Sequence, residues 1–307
     1  MPAVVPTTSN LGTSAETSGV APKAVATQRR ARTAYFLLLP GLGWLAIFFV
    51  IPIVMLFITS LQAPVPGQSG VFQPAFQISN YADALTAYLP QFFRSFLYSG
   101  IATVLALLLA YPLAYFIAFK AGRWRALMLV LVVAPFFASF LLRTYAWRTI
   151  LADDGPITGF FNFFHVLPEG RILNTSIAVI LGLTYNFLPF MILPLYAALE
   201  KIDPRLMEAA HDLYARPWTA FRKVIWPLSL PGVVAGTLLT FIPASGDFIN
   251  ARLLGSPSDS MIGTAIQVNF LQFRDYPIAS ALSFILMAVI LTIVFIYIRR
   301  AGTEELV

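Results

Sequence analysis

The stretch SIAVILGLTYNFLPFMILPLYAALEKIDPR, residues 176–205, decides how this chain folds. From Ser176 to Leu199 it carries no charge, and it then ends abruptly in Glu200, Lys201, Asp203 and Arg205. About 20 consecutive apolar residues suffice for a helix to cross the hydrocarbon core of a bilayer, and inside lipid a helix satisfies its own backbone N–H and C=O groups. Working outward, comparable runs lie at about Tyr35 to Thr59, Ser95 to Phe119, Ala126 to Ile150, Leu228 to Ile249 and Ile278 to Ile298. The pattern predicts an all-α, polytopic membrane protein with six transmembrane helices. The first run is too long for a signal-peptide core and is expected to remain as an anchor.

Composition agrees. Of 307 residues 58% are hydrophobic and 11% charged, with a mean hydropathy of +0.77. Six spans leave little chain for a soluble catalytic domain. The absence of cysteine excludes thiolate chemistry, Cys-ligated zinc and iron–sulfur clusters. His165 and His211 are the two histidines, too few for a multi-His metal site, and no phosphate-cradling G-x-x-x-x-G-K-[ST] motif is present. Neither histidine has a paired acid at a spacing suited to general-base catalysis, so a polytopic membrane enzyme is disfavoured. A self-sufficient carrier would show internal repeats and intramembrane charge networks, and neither stands out. Residues 1–28, rich in Pro, Thr, Ser, Ala and Gly, read as a disordered cytoplasmic tail before a membrane domain over 29–307.

The cations set the orientation, because positively charged connections stay in the cytoplasm. Lys23, Arg29, Arg30 and Arg32 precede the first span; Lys120, Arg123 and Arg125 lie between the second and third. Lys201, Arg205, Arg216, Arg222 and Lys223 follow the fourth, and Arg299 and Arg300 end the sixth. Only Arg94, Arg143, Arg148, Arg171, Arg252 and Arg274 fall on the other side. Both termini are therefore expected inside. The net charge of +6 is a topology signal, and no nucleic-acid surface is implied. On the outer side Phe160, Phe161, Phe163 and Phe164 are expected at the bilayer interface.

Residues 200–227 form the one long polar connection on the inner side. Asp203 before Pro204 signals a helix start, the carboxylate capping free N–H groups and proline occupying the first helical position. Leu206, Ala209, Ala210 and Leu213 recur as one apolar stripe, with Arg205, Glu208 and Asp212 off it. Glu208 and Asp212 are placed to meet a partner's cations or Arg205 and Arg216. So short a helix needs something to pack on.

Glu208-Ala209-Ala210, the turn position Tyr214 and Val224-x-Trp226-Pro227 together resemble the E-A-A loop of ATP-binding cassette (ABC) importer permeases. Tyr214 stands where that family usually has glycine, so either it tolerates a positive φ or the first helix continues. Val224 and Trp226 replace Ile and Leu of the family pattern. Residues 135–147, 188–196 and 241–248 resemble the spermidine/putrescine (PotB-type) branch, while sulfate- and iron-type permeases share the scaffold. The resemblance implies a type I importer permease fold with both termini inside. It implies that Arg205, Glu208, Ala209, Ala210, Asp212, Leu213 and Tyr214 seat in a cytoplasmic ATP-binding subunit dimer. It further implies a second homologous permease subunit and an extracytoplasmic substrate-binding protein. This chain would hold no cofactor, with ATP and Mg bound by the partner ATPase.

Polar groups inside spans are costly in lipid and are expected on a solute path or an interior contact. Asp247 is expected to meet a cationic solute, to pair with Arg143 or Arg252, or to sit in water at a span end. Tyr185 and Asn186 precede Pro189, where a bend would expose backbone carbonyls. Arg143 either snorkels outward or faces the interior. Tyr145 and Trp147 offer ring faces to an ammonium group or belong to an aromatic belt.

Overall fold

The computed structural model describes residues 38–68, 70–164 and 170–301. The tail over 1–28 and His165 lie outside them. The chain divides into two compact units, Met1–Met55 and Leu56–Val307. In the first, the described residues are helical and apolar throughout. They begin α1, Leu38–Ser60, which has the length and hydropathy of a span.

The second unit is built on three helices. α2, Ser79–Phe119, is 41 residues long, about 60 Å at 1.5 Å per residue. Only its latter half was expected as a span; the first half continues the helix through Pro90. α6, Ser176–Glu200, starts at a Thr175 cap whose hydroxyl accepts from the Ala178 N–H, and it runs unbroken through Pro189 and Pro194. α8, Pro217–Ser245, contains a wide π turn at Phe221–Ile225.

These three meet in the largest buried cluster, where Ala106, Ala110, Tyr111, Ala114 and Ile117 of α2 pack on Met191, Ile192, Leu195 and Leu199 of α6, with Ile225 and Val233 of α8. The alanines recur every fourth residue, which lets two backbones approach closely where lipid supplies no hydrophobic drive. Glycine does the same between α6 and α8. A Cβ on Gly232 would lie 2.5 Å from the Ala198 Cβ and 2.8 Å from the Pro194 carbonyl oxygen, and one on Gly236 would lie 2.8 Å from the Met191 Sδ.

Around this core lie shorter pieces. The strands Ala63–Pro64 and Phe72–Gln73 form a small antiparallel hairpin. α3 is Arg125–Val133, α4 Phe140–Ile150 and α5 Pro156–Phe163. α7 is Pro204–Asp212, α9 Ile249–Leu254, α10 Ile262–Val268 and α11 Tyr276–Ala301. Phe160, Phe161 and Phe163 of α5, and Phe164 just after it, are exposed.

The polytopic all-α fold stands, and the third and fifth of the expected runs differ in detail. Among the described residues five helices are long and apolar enough to span; a sixth exists only if Gly122–Phe137 and Phe140–Ile150, bent by 95°, are one crossing. The cause is local: the 3-10 turn Ala134–Phe137 contains Pro135, and Ala138 and Ser139 then take extended ψ values of 144° and 138°. Likewise the fifth span does not reach Ile249. It stops at Ser245, and a break carrying Gly246, Asp247 and Phe248 separates it from α9.

Candidate functional site

The segment after α6 forms as its capping residues dictate. Asp203 Oδ1 accepts a hydrogen bond from the Arg205 N–H at 2.9 Å, so α7 starts at Pro204. It ends because Tyr214 adopts φ 56°, allowing the Ala215 N–H to reach back to the Ala210 carbonyl at 3.0 Å. That six-to-one bond is the Schellman closure, in which glycine is usual. Tyr214 thus accepts the strained conformation and the helix does not continue. Arg216 is extended and Pro217 opens α8.

The expected apolar stripe is divided. Ala210 is buried and Met207 packs against the main core, while Ala209 is exposed and Leu206, Leu213 and Tyr214 are 44%, 82% and 96% exposed. Arg205, Glu208 and Asp212 are also exposed. Among the described residues the one ion pair is Arg125–Glu200, so Glu208 and Asp212 do not pair with Arg205 or Arg216. Behind this surface Trp218 stacks on Phe221 at 5.4 Å. Phe221 meets Tyr111 at 5.6 Å, and the Tyr111 hydroxyl lies 2.7 Å from Ser229 Oγ. The loop is joined to α2 and α8 through rings.

A second polar group lies inside the bundle. Asp247 is buried and accepts from the Asn250 N–H at 2.7 Å, capping α9. It pairs with neither Arg143 nor Arg252; the latter donates to Gln267 at 3.0 Å. It is not a carboxylate in water either. Asn186, fully buried, donates to the Asn250 side-chain oxygen at 2.9 Å and to Thr144 at 3.3 Å. Asn186 Oδ1 and Asn250 Nδ2 have no hydrogen-bond partner. Sequence reasoning did not single out Asn250 or Thr144, although both are polar positions beside residues it chose. Together they tie α4, α6 and α9.

On the neighbouring face is a cavity of about 420 Å³ lined by Leu113 of α2, Met128 and Leu131 of α3, Tyr185, Leu188 and Ile192 of α6, and Arg143 of α4. The guanidinium lies over the rings of Phe136 and Phe140, at 4.9 and 5.6 Å, and its Nε and Nη1 are buried without a hydrogen-bond partner. Arg143, half-buried, therefore turns into this cavity. Trp147 packs edge-on against Tyr185 at 5.2 Å, whereas Tyr145 is 51% exposed and does not line this cavity. Tyr145 and Trp147, two apart on α4, point to different sides.

The chain is thus a membrane-type helical bundle with two broken spans and a capped helix following the fourth. A bacterial alginate ABC transporter, solved in complex with an alginate pentasaccharide-bound periplasmic protein, contains a chain of this fold. The TM-score is 0.64 at 19% identity, covering 92% of this chain and 99% of that one. Residues 33–301 match the family described as binding-protein-dependent transport system inner membrane component, and the chain belongs to that family. It is 39% identical over 259 residues to the spermidine/putrescine transport system permease protein PotB of Haemophilus influenzae, covering 84% of this chain and 90% of that protein. Against PotB of Escherichia coli strain K12 it is 36% identical over 264 residues, covering 84% and 94%. It is thus a multi-pass inner-membrane transport component of a non-enzymatic family.

Proposed function

We propose that this chain is the permease of an ABC importer for a polyamine of the spermidine/putrescine kind. It would work with a second homologous permease, two cytoplasmic ATP-binding subunits and an extracytoplasmic binding protein. ATP and Mg are bound by the ATPase, and both termini and α7 face the cytoplasm. The observation that carries the substrate class is the identity of 36–39% to PotB proteins across 84% of the chain. The exposed Leu206, Leu213 and Tyr214 beside Glu208 and Asp212 support docking of α7 in the ATPase, since an apolar, acid-flanked helix end is not otherwise covered.

Closure of the ATPase pair displaces α7, and the ring contacts Trp218–Phe221–Tyr111 carry that displacement into α2 and α8. A solute biases the cycle only through unequal affinity for its two states. The Tyr185–Trp147 pair offers ring faces to an ammonium group. Asp247 and Asn186 serve the path by holding the break after α8 and the bent span in place.

Proteoliposomes containing the full assembly test this reading. ATP-dependent uptake of labelled spermidine or putrescine is expected, competed by polyamines and not by amino acids or sulfate. Competition by sulfate alone would reassign the substrate, and uptake without an ATPase subunit would refute the proposal.

A further inference from the structure

The guanidinium of Arg143 is the one charge on the wall of its cavity. It makes no ion pair, and two of its nitrogens are shielded without a hydrogen-bond partner. Two phenylalanine rings offset part of the cost of desolvation, but a charge removed from water is ordinarily matched by an opposite one. With α6 taken to cross the bilayer symmetrically, the position lies too deep for a lipid phosphate to be that match. Tyr185, on the same cavity, is the tenth residue of the 25-residue α6, within about 5 Å of the helix midpoint. Phosphates begin some 15 Å from the midplane of a ~30 Å hydrocarbon core.

The surrounding surface is not a lipid face either, because a charge at that depth facing hydrocarbon is strongly disfavoured. Yet α3 buries no residue within this chain; Leu131 on the cavity wall is exposed, as are Leu127 and Val130 on the same helix and Leu142 beside Arg143 on α4. Nor does the proposed solute supply the match, since a polyamine is itself cationic.

We infer that this cavity is a contact with the companion permease, and that a carboxylate side chain from one of the companion's spans enters it and pairs with Arg143. The inference rests on the proposed permease pairing and deepens it. The pair neutralises a cation that would otherwise repel a polyamine from the path, and it clamps the bent span to the other subunit.

The experiment uses the assembled transporter, purified with its companion permease and ATPase. Arg143→Lys keeps the charge and supplies an amine that a lipid-soluble carbodiimide joins to a carboxylate in contact with it. Expected is a cross-link from this chain to an Asp or Glu in a companion span, mapped by peptide mass spectrometry and absent in wild type and in Arg148→Lys. Arg143→Gln is expected to reduce companion retention in detergent by about tenfold or more, with retention restored when the mapped acid is replaced by its amide. An intact R143K assembly that cross-links to nothing, to lipid alone, or to an anionic solute in the path overturns the inference and leaves the permease reading standing. A wild-type chain that transports without any companion overturns both.

Discussion

Substituting Gly232 with alanine tests whether the α6–α8 crossing is set by backbone contact. The added Cβ meets the Ala198 Cβ at 2.5 Å and the Pro194 carbonyl oxygen at 2.8 Å, about 1 Å inside the 3.5–4.0 Å optimum for carbon atoms. Neither obstacle is the end of a flexible side chain, so the helices separate or the backbone shifts. Overpacking of this kind costs about 1–3 kcal/mol. At about 2 kcal/mol the melting temperature falls by roughly 3 °C for a cooperative unit the size of this chain. Adding Ala198→Gly removes the first obstacle and leaves the second, so rescue is expected to be partial, about half of the loss by the same estimate. Thermal unfolding followed by size-exclusion chromatography measures both variants. A neutral Gly232→Ala, or full rescue by Ala198→Gly, would show that the carbonyl contact does not limit the approach.

Three further predictions follow from the loop and the polar cluster. Glu208→Lys is expected to remove ATPase association or to uncouple hydrolysis from uptake while membrane insertion stays normal; unchanged uptake refutes the docking of α7. Tyr214→Gly relieves a left-handed strain of about 1 kcal/mol and sacrifices little contact, because that ring is almost wholly exposed. Slower hydrogen exchange at Leu213 and Ala215 is expected, and faster exchange would contradict the closure described. Asp247→Asn retains an oxygen to accept from the Asn250 N–H and keeps near-wild-type stability, whereas Asp247→Ala loses the cap and about 1–2 kcal/mol, read by the same melting assay. Equal losses in the two would mean that the charge, and not the acceptor, holds α9.

The spans and the loop were legible because each rests on short-range rules. An uncharged run from Ser176 to Leu199 needs no tertiary partner to be read as a helix, and Asp203-Pro204 states its own N-terminus. Tyr214 left two outcomes open in sequence, since the cost of a positive φ is small enough for the rest of the turn to override. The break at Ala138–Ser139 was not legible: the 126–150 run has the hydropathy of a single crossing, and Pro135 alone is common in straight spans. Asp247 was read as an exposed, paired or solute-facing acid because sequence cannot show that Asn250, three residues on, would present a backbone donor to it. Arg143 was equally opaque, since a long side chain near a span end is free to turn either way, and only the Phe136 and Phe140 rings fix which.

The ring contacts from Trp218 through Phe221 to Tyr111 bear on how force is handled. Each of these side chains has two rotatable bonds, so the assembly stores little strain in side-chain motion. Methionine or leucine in those places would yield under load like a soft bushing. Rings that stack, as Trp218 on Phe221, or meet edge to face, as Phe221 on Tyr111, behave more like meshed gear teeth, so that a small displacement of α7 would reach α2 with little slack.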